Sequence, residues 1–233
     1  MKKFFTLIAA VALAASVNAQ GTYAVQVGDK VNAGDKITSV KNVTLTYMEN
    51  AGTAFADGKA TDNWADGDFT AYVCGKNSGK LVSGAEPTGC VYKFETVKAG
   101  SVTVGVQLGG TKGFHILDAG FAEVAPASYN LPAAKDGDSQ EFTQNGKGEN
   151  IIAEKSNGTV TFNVADGGTY YVLAAGTKMG FYGFKYVTGT STGISSVNAA
   201  AAKKDGKTYN MAGQEVSSSA KGLIIKNGKK YVK

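Results

Sequence analysis

The chain has 233 residues, of which 31 are glycine and 3 are proline, and it contains no arginine. Its formal net charge of +5 arises at the two ends, because residues 1–19 carry +2 and residues 191–233 carry +6, whereas residues 20–190 carry −3. Arginine is the preferred side chain for recognising phosphate and guanine, so this composition argues against nucleic acid as a partner.

Residues 1–19 have the pattern of a secretory signal peptide. Two lysines precede an apolar run at residues 4–15, and Val17 and Ala19 place small side chains where signal peptidase requires them. The apolar run is shorter than the ~20 residues that cross a bilayer as a helix. We therefore expect a secreted protein that is extracellular, on the outer-membrane surface or in the periplasm.

The mature chain predicts an all-β domain with almost no helix. Val102 and Val104 alternate with polar residues, which indicates a sheet with one buried face. Residues 170–174 are apolar at every position and predict a central strand. Turn sequences at residues 98–100 and 166–168 predict hairpins. Strands are predicted at residues 43–47, 69–74, 91–97, 101–108, 113–117, 150–153, 159–164, 170–174 and 181–187.

Short strands separated by frequent turns are typical of a β-sandwich or a jelly roll. In the last strand, alternation places Tyr182, Phe184 and Tyr186 on one face, as expected for core side chains. From residue 191 to residue 204 the strand pattern gives way to serine, threonine and alanine, which predicts a linker. We expect residues 20–190 to form one β-sandwich domain.

The last segment, residues 205–233, predicts a β-hairpin. Asn227 and Gly228 lie between two β-prone runs, and Asn-Gly favours the two-residue turn in which both central residues have positive φ. The sequence YNMAGQEV, followed by KGLIIKNGKKYVK, resembles C-terminal segments of secreted Bacteroidetes proteins. Related, longer tails are sorting signals for type IX secretion. The resemblance therefore implies that residues 205–233 engage a secretion machinery.

The body of the chain carries a second resemblance. VYKFETVKAGSVTVGVQLGGTKGFHI and GGTYYVLAAGTKMGFYGFKYV are similar to β-sandwich modules of secreted gut Bacteroidetes proteins. Those modules occur alone or beside pectin-degrading and other polysaccharide-active enzymes. The resemblance covers roughly residues 40–188. It implies a galactose-binding-like jelly roll that binds a polysaccharide or a cell-surface glycan.

The densest polar cluster is TDNWADGDF, residues 61–69. An aromatic ring can stack on the C–H face of a sugar while carboxylates accept hydrogen bonds from its hydroxyls, so Asp62, Trp64, Asp66 and Asp68 are candidate ligand-binding residues. The three aspartates could instead bind a structural Ca²⁺, which prefers oxygen ligands. A third alternative is that Trp64 caps the core beneath a solvated acidic loop. No other cofactor is expected.

Cys74 and Cys90 are the only cysteines, and an even number in an exported chain predicts a disulfide between them. Two buried free thiols are the alternative. His115 is the only histidine, and it is predicted to be structural because no metal-binding or nucleophile motif accompanies it. No catalytic residue is therefore assigned.

These observations together predict a secreted, non-catalytic module that binds a glycan or associates with the cell surface. Two alternatives remain open. One is a small polysaccharide lyase or hydrolase, for which the sequence has no distinctive motif. The other is a structural or adhesive surface protein without a glycan ligand.

Overall fold

The computed structural model describes residues 20–56, 67–133 and 138–189, together with the backbone of four strands between residues 208 and 232. All regular secondary-structure elements in these residues are β-strands, which confirms the all-β prediction. Within this part of the chain, no helix is long and apolar enough to cross a membrane. By its internal contacts the chain divides into two units, residues 1–190 and residues 191–233.

The strands of the first unit are β1 (Gln20–Ala24), β2 (Lys30–Val31), β3 (Lys36–Ile37), β4 (Val43–Tyr47), β5 (Gly52–Thr53), β6 (Phe55–Ala56), β7 (Ala71–Cys74), β8 (Lys80–Val82), β9 (Ala85–Thr88), β10 (Val91–Thr96), β11 (Gly100–Leu108), β12 (Gly113–Leu117), β13 (Ser128–Asn130), β14 (Thr143–Gln144), β15 (Asn150–Ile151), β16 (Ser156–Val164), β17 (Thr169–Ala175) and β18 (Gly180–Thr188). A strand lies at each of the predicted positions.

Two seven-stranded sheets form the sandwich. Sheet 1 has the order β13-β16-β11-β18-β7-β6, with β1 also paired to β18, and sheet 2 has the order β14-β15-β12-β17-β10-β4-β3. The pairs β2–β5 and β8–β9 form two small separate sheets. Strand β17 lies between β12 and β10 in sheet 2, so the prediction that residues 170–174 form a central strand is confirmed.

At several turns the chain passes from one sheet of the sandwich to the other. The turn at residues 98–100 joins β10 in sheet 2 to β11 in sheet 1, and the turn at residues 166–168 joins β16 in sheet 1 to β17 in sheet 2. The hairpin predictions at these two turns are therefore wrong. A local turn sequence specifies a reversal of direction, but it does not specify whether the next strand pairs with the previous one or packs across from it.

Aromatic side chains from both sheets meet in the core. Phe94 of sheet 2 makes edge contacts with Phe162 and Phe184 of sheet 1, with ring centroids 6.0 Å and 5.3 Å away. Tyr92 of sheet 2 stacks on Phe181 of sheet 1 at 4.4 Å. All five side chains are fully or almost fully buried. Their contacts across the interface fix the two sheets face to face.

Strand β18 departs from strict alternation. The register between β11 and β18 shifts between Gly105 and Val106, and Gly183 has a φ of 134°. As a result Phe181, Phe184 and Tyr186 belong to the core, whereas Tyr182 lies outside it, against Tyr72 on the other face of sheet 1. The prediction that Tyr182, Phe184 and Tyr186 share one face is therefore wrong, because the β-bulge inserts one residue.

The second unit is a four-stranded sheet. It contains β19 (Thr208–Asn210), β20 (Glu215–Val216), β21 (Leu223–Lys226) and β22 (Lys229–Val232), in the order β20-β19-β21-β22. The last two strands are antiparallel, and Lys226 pairs with Lys229 across a two-residue connection. This register confirms the predicted C-terminal hairpin.

Candidate functional site

The predicted ligand-binding loop is only partly described. Asp62, Trp64 and Asp66 lie outside the described residues. Asp68 lies inside them, and its carboxylate forms an ion pair of 3.0 Å with Nζ of Lys185 in β18. The described residues contain no group of three or more metal-ligating side chains placed to hold an ion. The glycan and Ca²⁺ alternatives for this loop therefore stay predictions.

Where the loop returns to the domain, it covers the outer face of sheet 1. Phe69 is fully buried, and a Cβ added at Gly105 in β11 would lie only 2.7 Å from a carbon of its ring. Tyr182 packs against the same glycine, and Nζ of Lys185 lies 5.4 Å from the centre of the Phe69 ring. Because Gly105 has no side chain, the aromatic ring of Phe69 can pack directly against the strand at this position. This part of the outer face is sealed.

The two cysteines lie close together between the sheets. Cys74 ends β7 in sheet 1, and Cys90 immediately precedes β10 in sheet 2. Both are free thiols in the structure. Sγ of Cys90 would lie 2.9 Å from a Cβ at Gly75, the residue that follows Cys74. Burial, with a smaller contribution from the nearby Cys90, raises the pKa of Cys74 to about 11.

The outer face of sheet 2 carries a cleft at the end of β12 and β17. Gly113 and Ala175 are paired across these strands, and their neighbours Phe114 and Ala174 point into the core. Because side chains alternate along a strand, Gly113 and Ala175 face outward. These two small residues form the floor of the cleft.

Three turns form the walls of this cleft. Thr111 and Lys112 belong to the β11–β12 turn, residues 145–149 form the β14–β15 turn, and Gly176 follows β17. The cleft has a volume of about 280 Å³. Its lining is polar apart from the floor, and consists of Thr111, Lys112, Gly113, Asn145, Lys147, Glu149, Ala175 and Gly176.

The β14–β15 turn holds Asn145 and Glu149 in fixed positions. Oδ1 of Asn145 accepts hydrogen bonds from the backbone N–H groups of Lys147 and Glu149, at 2.9 Å and 3.1 Å. Nδ2 of Asn145 donates to Oε2 of Glu149 at 2.6 Å. Gly148 has a φ of 76°, a conformation that glycine adopts without strain. The Glu149 carboxylate is therefore oriented by its own turn.

His115 lies on the same outward row as Gly113, one pair further along β12. Its side chain is 3% exposed, and its Nδ1 hydrogen-bonds the carboxylate of Glu123. Its Nε2 is buried without a hydrogen-bond partner, 3.7 Å from Oε1 of Glu149, and would lie 3.0 Å from a Cβ at Gly113. The histidine therefore lies between two carboxylates, directly beneath the cleft.

This arrangement combines cationic, anionic and amide groups around one small opening. Lysine donates hydrogen bonds, glutamate accepts them and asparagine does both, so the cleft can satisfy a ligand rich in hydroxyl groups. Sequence reasoning missed Glu149, Asn145 and the two lysines. One signal in the sequence pointed to this site: Gly113 lies two residues before His115, so both positions are on the same face of one strand. A glycine at that spacing leaves room for other polar side chains beside the histidine.

No family model matches this chain, and no curated protein matches it significantly. The functional assignment therefore depends on the geometry of the cleft and on the sequence patterns described above.

Proposed function

We propose that this chain is a secreted, non-catalytic module that binds a glycan, and that the cleft on the outer face of sheet 2 holds a sugar unit. The observation that carries the proposal is an open cleft of about 280 Å³ with hydrogen-bonding side chains on its walls and small residues on its floor. Pockets for drug-sized ligands generally have volumes of ~300–1,000 Å³. The volume of this cleft lies just below that range, so the cleft suits one sugar unit of a longer chain and not a whole oligosaccharide.

The ends of the chain support a location outside the cytoplasm. Residues 1–19 are proposed to direct export, and residues 205–233 to engage the secretion machinery of a Bacteroidetes cell. In an oxidising compartment Cys74 and Cys90 are proposed to form a disulfide, for which their closeness between the sheets is favourable. The mature protein would then act outside the cell or on its outer-membrane surface.

The loop that contains Trp64 is the alternative place that we propose for the glycan contact. Its described end, Asp68 and Phe69, lies on the outer face of sheet 1. The cleft lies on the outer face of sheet 2. A Ca²⁺ ion bound by Asp62, Asp66 and Asp68 is the other ligand proposed for this loop, and added Ca²⁺ would then raise the melting temperature by mass action.

A substitution that fills the cleft tests the proposal. The exported protein is screened on a glycan array, and the affinity for a bound glycan is measured by calorimetry for wild type, Ala175→Leu and Ala165→Leu. Ala175 forms the cleft floor, whereas the exposed Ala165 lies beyond the other end of β17. We expect Ala175→Leu to reduce the affinity at least tenfold and Ala165→Leu to leave it unchanged. Both variants should unfold within ~0.5 kcal/mol of wild type, as surface substitutions generally do.

The other outcomes are distinct. Loss of binding in Trp64→Ala, with normal binding in Ala175→Leu, would show that the glycan binds the Trp64 loop and not the cleft. Binding to no glycan would contradict the proposed function and favour a structural or adhesive surface protein. Release of reducing ends or unsaturated uronates from polysaccharides would show a lyase or hydrolase instead.

A further inference from the structure

We propose that the sugar unit in the cleft carries an anionic group, a carboxylate or a sulfate, and that Lys112 and Lys147 bind this group. The inference rests on the proposed glycan-binding function and names the ligand class. It comes from the charges around the cleft and from how each charge is partnered.

The two lysines have no anionic partner in the protein. Lys112 and Lys147 come from different turns and both line the cleft, but neither forms an ion pair or a side-chain hydrogen bond with any of the described residues. Lys93 and Lys185, by contrast, pair with Glu86 at 3.2 Å and with Asp68 at 3.0 Å. Two unpaired ammonium groups at one opening favour an anionic ligand.

Glu149 is the one carboxylate in the cleft lining, and both of its oxygens have neighbours within the protein. Asn145 donates to one of its oxygens at 2.6 Å, and the ring of His115 approaches the other at 3.7 Å. No ion pair joins Glu149 to either lysine of the cleft. Its carboxylate therefore remains oriented as an acceptor for hydroxyl groups and does not neutralise the lysines.

The buried histidine is the second observation that points to a ligand. Nδ1 of His115 hydrogen-bonds the carboxylate of Glu123, whereas Nε2 has no hydrogen-bond partner and lies 3.7 Å from Oε1 of Glu149. An unpartnered polar atom in a residue that is 97% buried costs free energy, and the absent side chain at Gly113 leaves room for the side chains of Glu149 and His115 at the base of the cleft.

The combination of groups selects an acidic sugar over a simple anion. Two lysines and one glutamate give the lining a formal net charge of +1. A free inorganic anion would be attracted by the lysines but repelled by Glu149. A sugar that carries one anionic group and several hydroxyls can place the anion at the lysines and a hydroxyl at Glu149, so that every group is used.

The test measures the affinity of the full mature chain by calorimetry for three probes. These are a short oligouronide, its carboxyl-reduced neutral counterpart, and a sulfated oligosaccharide. We expect the neutral counterpart to bind at least tenfold more weakly than one of the two anionic probes. The anionic probe that binds more tightly identifies the group as a carboxylate or a sulfate. Its affinity should fall as salt is added, because counter-ions screen the lysines.

Lysine variants locate the anion. Lys112→Ala and Lys147→Ala should each reduce the affinity for the anionic probe about fivefold, which is the upper range for the loss of an exposed ion pair. Both variants should leave the affinity for the neutral probe unchanged. Lys41→Ala is the matched control, because Lys41 is also exposed but lies at the opposite end of the domain. All three side chains are exposed, so these variants are expected to fold.

Several results would overturn the inference. Equal affinity for the neutral and anionic probes, or unchanged binding in both cleft-lysine variants, would exclude an anionic sugar but leave the glycan-binding function standing. Displacement of the oligosaccharide by an equal concentration of inorganic sulfate would show a simple anion site instead. Binding of none of the probes, on a protein that binds no glycan on the array, would show that the proposed function itself has failed.

Discussion

The outer faces of the two sheets offer the same local feature and use it differently. On sheet 1, the side chain missing at Gly105 is replaced by the ring of Phe69 and by Tyr182. On sheet 2, the side chains of Glu149 and His115 lie beside Gly113, and Gly113, Glu149 and Ala175 line an open cleft. The difference lies in what the adjacent loops supply. Aromatic rings seal this part of sheet 1, whereas polar turns leave the ends of β12 and β17 in sheet 2 accessible to a ligand.

The largest expected effect comes from unsealing sheet 1. Phe69 is fully buried although it lies outside the main core, so Phe69→Ala should lower the free energy of unfolding by ~3–5 kcal/mol, as aromatic-to-alanine substitutions in cores do. Urea unfolding measures this loss. The matched control is Phe55→Ala, since Phe55 is 56% exposed on the same sheet and should change stability by no more than ~0.5 kcal/mol. A loss below about 1 kcal/mol for Phe69→Ala would mean that this face is not sealed.

The cross-link between the sheets gives the next effect. Cys74 lies in the strand that follows Phe69, and Cys90 leads into sheet 2. Closing a loop of this size stabilises by ~3 kcal/mol in the chain-entropy model, so oxidised protein should unfold at a correspondingly higher urea concentration than reduced protein. Mass spectrometry of unreduced peptides identifies the bond. Two freely alkylated thiols in native secreted protein would contradict the prediction, and a change in glycan affinity on reduction would show that the open face depends on the cross-link.

The two glycines provide a direct pair of substitutions. At Gly105 a methyl group would lie 2.7 Å from the packed ring of Phe69, so Gly105→Ala should cost ~1–3 kcal/mol. At Gly113 the nearest atoms belong to the side chains of Glu149 and His115, at 2.9 Å and 3.0 Å. Because Glu149 is partly exposed whereas Phe69 is fully buried, Gly113→Ala should cost less stability than Gly105→Ala but weaken glycan binding at least tenfold. The reverse pattern in unfolding and binding measurements would contradict the comparison.

The smallest effect concerns pH. The native pKa of Cys74 is about 11, above the ~8.5 of an unfolded thiol, so the folded state holds this proton more tightly. The resulting stability is complete below pH ~8.5 and is lost as the pH rises toward about 11. Because Cys74 is partly exposed, we expect a loss below ~1 kcal/mol in reduced protein. Cys74→Ala and the oxidised protein should lack it; an identical pH dependence in Cys74→Ala would assign the loss to other groups.

Strand positions could be predicted from the sequence, because alternation and turn residues are local signals. The β11 and β12 predictions are correct for this reason. The outward position of Tyr182 could not be predicted, since the bulge at Gly183 depends on pairing with β11. The strand β1 was also missed, because only its pairing with β18 makes it a strand.

The cleft could not be predicted because its parts are far apart in sequence. Gly113 and Ala175 become a floor only when β12 pairs with β17, and Glu149 comes from a third turn. His115 looked isolated for the same reason: its carboxylate neighbours, Glu123 and Glu149, belong to other segments. The acidic loop around Trp64 gave a stronger local signal, and its role stays a prediction.

One measurement tests most directly whether the open face is the binding face. Backbone amide signals of the isotopically labelled protein are followed by NMR while a glycan identified on the array is titrated in. We expect the largest shift changes at residues 111–115, 145–149 and 175–176, and none of comparable size at residues 67–72 or 182–185. Changes concentrated at the latter residues, with the cleft signals unmoved, would show that the ligand binds the face of sheet 1 and would contradict the account.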